Sequence, residues 1–398
     1  MVAPASSDSS SVPQHAPVVP ALIAMTALQM LISATLVAPG VLAPRIGIDP
    51  SLLGFYATAA CVVAMMTTFI GGMLAGRFGS FRVATFCALV ALCGAGLAAL
   101  AGASPLLVVA GIILGCAYGP ETPASSAILW RITPVASRPL VFSVRQTGNQ
   151  IGMMTVSLTL PWIAVSYPAY GYVAIMIAAV VAVAAFEWLR PTYDPLVRGA
   201  ASTIKLREAL AMLIANVEIR KLAIASLPFS ALQIVLNIFL VTYGVTRLGL
   251  DLVAAGMLLA TAQAGGVIGR LGFGVLAARF LRAWTTVVGL GFGMSLCAAV
   301  MALAEPGWSW ALLLVVSFLF GVTASGWNGV FLSEVARLAP DGRVAEATGA
   351  VLMFGFAGLV VGPLATAGIA AISSLSVAFG LLGLTTLVAT LLLIGRRR

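Results

Sequence analysis

The sequence predicts an all-α integral membrane protein of twelve transmembrane helices arranged as two pseudo-symmetric six-helix bundles. Three observations predict it. First, 61% of the 398 residues are hydrophobic and only 8% are charged, with a mean hydropathy of +1.10. A soluble domain carries about a quarter charged residues to keep its surface wet. This chain must therefore face lipid, and the bilayer is its first partner. Second, apolar runs of about 20 residues, enough helix to cross a hydrocarbon core about 30 Å thick, recur along the chain. Third, the two halves repeat each other.

Residues 1–17, MVAPASSDSSSVPQHAP, are rich in Ser and Pro, hold the only histidine, His15, and contain no Lys or Arg. Without a basic n-region the segment reads as a disordered cytoplasmic tail rather than a cleaved signal peptide. Apolar runs follow at 18–40, 51–75, 83–102, 105–130, 139–163 and 168–189, an N-terminal bundle over 18–189. The interval 190–220 is the one long loop. Within it Leu206, Leu210, Leu213 and Val217 form a stripe opposite Lys205, Arg207 and Glu208. That pattern predicts an amphipathic helix on the inner surface, inside a linker between the halves. Six more runs, at 221–246, 252–277, 285–304, 308–336, 344–371 and 374–395, form a C-terminal bundle over 221–395, and 396–398 is a basic end. The longest runs are expected to tilt or to project past the lipid.

Seventeen of the 21 Lys and Arg fall on one side of the predicted spans; Arg45 and Arg247 fall on the other, and Arg145 and Arg270 lie within spans. The positive-inside rule then places both termini in the cytoplasm of a bacterial cell, with the chain in its inner membrane. The net charge of +9 is this bias. Nucleic-acid binding is excluded, because no soluble basic domain exists to present a patch. Cys61, Cys87, Cys93, Cys116 and Cys297 lie in apolar runs without metal or disulfide spacing and read as small buried hydrophobes. No span holds a histidine, and no HExxH, Cys–His pair or G-x-x-x-x-G-K-[ST] loop occurs. Neither enzymatic activity nor a metal or cofactor is expected, so energy comes from an ion gradient or from the substrate's own gradient.

The repeat is local and positional. LAGRF at 74–78 matches LAARF at 276–280, and WRITP at 130–134 matches ARLAP at 336–340. Each pair occupies the same slot in its half, the inner ends of the second and fourth helices. Repeated bundles meeting at a midplane site are how many secondary transporters are built. GGMLAGRFGSFR at 71–82 resembles the signature loop between helices 2 and 3 of the major facilitator superfamily, G-x-L-a-D-r-x-G-r-k. Gly72, Leu74, Ala75, Arg77, Gly79 and Arg82 carry the match, and GVLAARFLR at 274–282, with Arg279, resembles its weaker copy between helices 8 and 9. The resemblance implies alternating access, with helices 1, 4, 7 and 10 around a central cavity flanked by 2, 5, 8 and 11. It also implies a gating role for Gly72, Arg77, Gly79, Arg82 and Arg279. Gly76 stands where the family usually has an Asp that helps latch the bundles on the cytoplasmic side. Helix 5 lacks the G-x-x-x-G-P-x-x-G-G pattern of drug/proton antiporters, and GFAGLVVGPLATAG at 355–368 is only an approximate echo. Read without the resemblance, Gly71, Gly72, Gly76 and Gly79 equally serve tight turning and close helix approach.

Charges inside spans are the sharpest functional signal, since an unpaired one costs a few kcal/mol or more. Glu121, between Pro120 and Pro123, lies ten residues before Arg131, about 15 Å along helix 4. Arg145 lies seven residues after Arg138, about 10 Å into helix 5, so a Glu121–Arg145 pair is expected. It either locks the two helices or couples transport to a proton. The prolines, which remove backbone donors, favour a polar site over a packing surface. Arg270, on helix 8, has no acid partner in its own or the adjacent span and needs an anion, a set of carbonyls, or a route to the inner surface. Some family members that carry nitrate or monocarboxylates likewise have an arginine on helix 8, a similarity of placement. Gln29, Asn149, Gln150, Gln233, Asn237, Gln263 and Asn328 supply paired donors and acceptors for a small ligand, and Trp327 a ring that stacks or packs. Glu187 and Glu334 read as interfacial pairs with basic neighbours.

These residues predict a monomeric secondary transporter of a small solute, an organic anion moved with a proton, with Arg145 and Arg270 approaching the anion from opposite bundles. The alternatives are efflux of a neutral or cationic amphiphile, with Glu121 as the cation's partner, and a non-transporting membrane receptor. Import and export are not distinguished.

Overall fold

The computed structural model describes residues 16–164, 167–197, 213–279, 282–340 and 343–394. Among them, twelve long helices and no strand are found. The first six are α1 (Val18–Ile46), α2 (Pro50–Phe78), α3 (Ser80–Ala101), α4 (Leu106–Ile132), α5 (Arg138–Ala164) and α6 (Pro168–Tyr193). The second six are α7 (Val217–Thr246), α8 (Leu252–Arg279), α9 (Ala283–Ala302), α10 (Trp310–Leu338), α11 (Val344–Ile372) and α12 (Leu375–Ile394). Eleven are long and apolar enough to cross a membrane. The exception is α5, whose middle reads RQTGNQ at 145–150. Its hydropathy is lowered by the residues it turns toward the protein interior. Side chains such as Ile23, Val181, Trp188, Leu296 and Val388 are exposed and apolar, as a lipid-facing surface requires.

The halves repeat in structure more fully than in sequence. Gly47 and Gly249 both adopt left-handed backbone, with φ of 81° and 68°. Two residues on, Asp49 and Asp251 cap α2 and α8. Each accepts two backbone N–H groups, Ser51 and Leu52 in one case and Val253 and Ala254 in the other, at 2.8–3.0 Å. Within the bundles α2 packs on α4 as α8 packs on α10, α1 on α5 as α7 on α11, and α3 on α6 as α9 on α12. Close approach explains many glycines. A Cβ on Gly111, Gly115 or Gly119 of α4 would overlap the α2 backbone at Tyr56, Ala60 or Ala64. Gly265 and Gly269 of α8 sit equally tightly against α10 at Phe318 and Val322.

The two bundles meet along seams between α2 and α11 and between α5 and α8, with α1 crossing α7. On the side away from the termini these seams are tight. Gly54 abuts Pro363 and Ala367, Gly40 abuts the Ile238 carbonyl, and Gly256 abuts Ser157 and Pro161. Thr58 Oγ1 also donates to the Val360 carbonyl at 3.3 Å. Toward the termini, Gly72, Gly272 and Gly274 meet nothing within 4 Å, and Phe78, Leu140, Leu271 and Val275 are exposed. The bundles are closed on one face and splayed on the face that carries the termini.

In the signature loop, Gly79 has φ 101°, and a Cβ there would fall inside the carboxyl group of Asp194. That carboxylate, just past α6, accepts the Phe81 N–H at 2.7 Å and the Arg82 N–H at 3.2 Å, capping α3 where the helix dipole favours negative charge. Tyr193 stacks on Phe81 at 4.9 Å and donates its hydroxyl to the Pro17 carbonyl at 2.7 Å. A carboxylate thus serves this loop from α6, although Gly76 supplies none. The Arg77 guanidinium lies over the Phe78 ring at 5.2 Å, and Arg77 and Arg82 are exposed. The side chain of Arg279 lies outside the described residues.

The expected linker needs correction at both ends. Residues 190–193 belong to α6, and α7 begins at Val217 because Asn216 caps it, accepting the N–H groups of Glu218 and Ile219 at 3.0 and 3.1 Å. Val217 is therefore not the end of an amphipathic helix. Leu206 and Leu210 lie outside the described residues, and Leu213 is buried.

Candidate functional site

Stripes of side chains at helical spacing converge where the seams end. They enclose a cavity of about 320 Å³ lined by α1, α2, α4, α5, α7, α8, α10 and α11. The stripes are Tyr118, Gly119 and Thr122 on α4; Gln146, Asn149 and Met153 on α5; Ser226, Ser230, Gln233, Ile234 and Asn237 on α7; Trp327, Asn328, Phe331 and Leu332 on α10; and Val351, Leu352, Gly355, Phe356 and Leu359 on α11. Gln29, Thr68 and Arg270 complete the wall. Spacings of three, four and seven put each set on one helix face.

Arg270 does not reach for the membrane surface. Its Nη1 donates to the carbonyl and to Oε1 of Gln146, each at 3.3 Å, across the seam to α5. With the Gln150 amide oriented to satisfy both neighbours, Gln150 Oε1 accepts from Arg270 Nη2 at 3.1 Å and its nitrogen donates to the Gln146 carbonyl at 3.2 Å. All these partners are neutral, and Arg270 Nε is buried without one. Among the described residues no carboxylate pairs with Arg270, and it is the only charged side chain in the cavity wall.

Glu121 and Arg145 do pair, but behind the wall. Arg145 Nη2 bonds Glu121 Oε1; the two residues are 0% and 1% exposed, and neither lines the cavity. Ser125 and Thr122 hydroxyls donate to the same carboxylate at 3.3 and 2.8 Å. Thr122 alone of this group also faces the cavity. The expectation that Arg145 and Arg270 approach an anion from opposite bundles is thereby corrected. Glu121 is one position off the cavity face of α4, and Arg145 one position off that of α5.

The prolines beside Glu121 serve packing as well. A Cβ on Gly71 of α2 would strike the Pro123 ring and the Pro120 backbone, so this stretch of α4 packs closely on α2. The carbonyl of Gly119, released because Pro123 has no N–H, accepts from Thr68 Oγ1 at 3.2 Å.

Of the amides expected at the site, Gln29, Asn149, Gln233, Asn237 and Asn328 line the cavity, as does Trp327. Gln150 and Gln263 stand behind it, Gln263 donating to Asn237 Oδ1 at 2.8 Å. The Trp327 Nε1–H is spent on the Ala324 carbonyl of its own helix at 3.1 Å, and its ring sits edge-on to Phe229 and Phe331. Sequence reasoning missed Gln146, which accepts from both Arg270 and Gln29 (3.4 Å). The signal was present, since Gln146, Asn149 and Gln150 share the three- and four-residue spacing of one face. Ser230 carried the same signal, standing at helical spacing with Ser226, Gln233 and Asn237 on α7, whereas Tyr118 and Thr122, four apart on α4, had only each other. The interfacial acids pair as expected, Glu187 with Arg190 and Glu334 with Arg337 (Nε–Oε2 2.8 Å).

The family model described as Major Facilitator Superfamily matches residues 21–336 of this chain. Among solved structures, the chain is similar to a mutant of the nucleoside transporter NupG, with a TM-score of 0.78 and 15% identity over 94% of this chain and 98% of that one. It is similar to a mutant of the peptide transporter POT, with a TM-score of 0.76 and 17% identity over 94% and 93%. A D-xylose-proton symporter aligns with a TM-score of 0.72 and 16% identity over 96% and 98%. No curated protein sequence matches it.

Proposed function

Since this chain belongs to the Major Facilitator Superfamily, we propose that it is a secondary transporter carrying a small organic anion, moved with a proton, through a bacterial inner membrane. Both termini then face the cytoplasm, and the splayed face is the cytoplasmic one, in keeping with the arginine bias of the loops. The observation that carries the reading is Arg270, a half-buried guanidinium lining the cavity with neutral partners and a buried Nε that has none. A forked cation in a low-dielectric cavity recognises a carboxylate strongly. Glu121 is the acid assigned to the proton. Thr122, which lines the cavity, donates its hydroxyl to this carboxylate, and a substrate anion arriving in the cavity alters the field it feels.

Efflux of a neutral amphiphile is the second reading, favoured by the apolar residues of α10 and α11 in the wall. A cationic substrate fits poorly, because Arg270 would repel it and no described carboxylate lines the cavity. A thermal-stability screen of the purified protein against carboxylates, inorganic anions, amines and neutral amphiphiles separates these readings, since a ligand of the folded state raises the melting temperature. Anions are expected to shift it in the wild type and not in Arg270→Ala. A shift by neutral amphiphiles alone, equal in both proteins, overturns the anion reading.

A further inference from the structure

The cavity wall is divided by chemistry. On the α1, α4 and α5 side stand Gln29, Tyr118, Thr122, Gln146 and Asn149, with Arg270 reaching to them from α8. Across the cavity, α10 and α11 present Phe331, Leu332, Leu352, Phe356 and Leu359 beside the ring of Trp327, with Asn328 as their one amide.

α7 adds Ser226, Ser230, Gln233 and Asn237 to the polar part of the wall; three of them hold one partner each, and the amide N–H groups of Gln233 and Asn237 stay open as further donors for a carboxylate. Ser226 Oγ donates to the Val351 carbonyl at 3.2 Å, Gln233 Oε1 accepts from Asn328 at 3.4 Å, and Asn237 Oδ1 accepts from Gln263 at 2.8 Å. The Trp327 N–H, by contrast, is spent on its own helix. The unsatisfied buried atoms at the cavity, Arg270 Nε and Gln29 Oε1, belong to residues of the polar side.

Depth aligns the two walls. Arg270 lies nine residues from the end of α8, about 13 Å along its axis. Leu352 lies eight residues from the start of α11 and Trp327 eleven from the end of α10, about 12 and 16 Å. A ligand held by Arg270 therefore has hydrocarbon opposite it at its own level in the membrane.

Resting on the anion reading above, we infer that the substrate is a monocarboxylate with an apolar body. Its carboxylate meets Arg270 and its amide neighbours, and its body lies across the gap against α10 and α11. An apolar wall strengthens binding with each methylene it removes from water, and a second charge on the ligand would have no partner there.

The test uses straight-chain monocarboxylates from acetate to heptanoate, benzoate, succinate and the matching primary alcohols. Dissociation constants are taken from the concentration dependence of the melting temperature of the full chain in nanodiscs. Affinity is expected to rise about threefold to fourfold per methylene among the acids, with benzoate far above acetate and succinate weak. Leu352→Gln, at a position 41% exposed and so tolerant of change, should flatten that rise while the requirement for a carboxylate persists. Acids that bind equally whatever their length, or a slope unchanged in Leu352→Gln, overturn the inference and leave the anion reading standing. Alcohols that bind as well as acids, or no response to any acid, overturn the anion reading itself.

Discussion

Arg145 illustrates how much a single residue can mislead when only its neighbours in sequence are known. It offers five donors, and in the structure Nε and Nη1 are buried without partners while Nη2 holds Glu121. Removing the carboxylate leaves a bare cation in a dry interior, which costs about 3–5 kcal/mol, whereas removing both charges costs much less. We expect Glu121→Gln and Arg145→Gln each to lower the unfolding midpoint markedly, and the double variant to recover most of the loss. A double-mutant cycle by chemical denaturation reads this directly. The same variants test the proton: the double variant should retain substrate exchange across proteoliposomes and lose accumulation driven by a pH gradient. Accumulation that persists would remove Glu121 from the coupling role. The pair itself was legible from two intramembrane charges of opposite sign at matching depth. That it stands behind the wall was not, because one position along a helix turns a side chain by about 100°.

At the scale of an element, the signature loop contains two glycines with opposite needs. Gly72 has open space around it, while Gly79 has left-handed backbone and the Asp194 carboxyl where its Cβ would be. Gly79→Ala should cost about 1–3 kcal/mol from backbone strain alone and displace the cap on α3. Gly72→Ala should be neutral in stability. Melting curves of the two purified variants decide it, and equal losses would refute the account of Gly79. The motif marked both glycines without distinguishing them, since the partner of one lies 115 residues away in sequence. Eleven of the twelve long helices were legible from hydropathy over about 20 residues, which needs no tertiary context, while α5 carries a weaker signal because its middle is polar. The cap at Asn216 was hidden by an apolar stripe that runs past it.

For the whole molecule, the tight seams on one face and the splayed helices on the other describe one end of a rocking motion. Gly54→Leu sets a branched side chain where Pro363 and Ala367 already sit, so the closed face cannot form. This variant should favour the opposite orientation. Labelling of Leu332→Cys, in the cavity wall, by an impermeant maleimide from the face that carries the termini should slow about tenfold, in a background without the five native cysteines. Unchanged labelling would mean the seam does not set the orientation. The two-bundle plan was legible in the repeats, and the side on which the bundles separate was not, because both orientations use the same sequence.

The closed face also has an electrical character of its own. The contacts that close it are glycines against carbonyls, small apolar side chains and two threonine hydroxyls, with no ion pair across them among the described residues. Dissolved salt screens charges and leaves such contacts nearly untouched. In the orientation proposed above, the grip of the outer seam is therefore expected to stay nearly constant as the surroundings pass from dilute to salty.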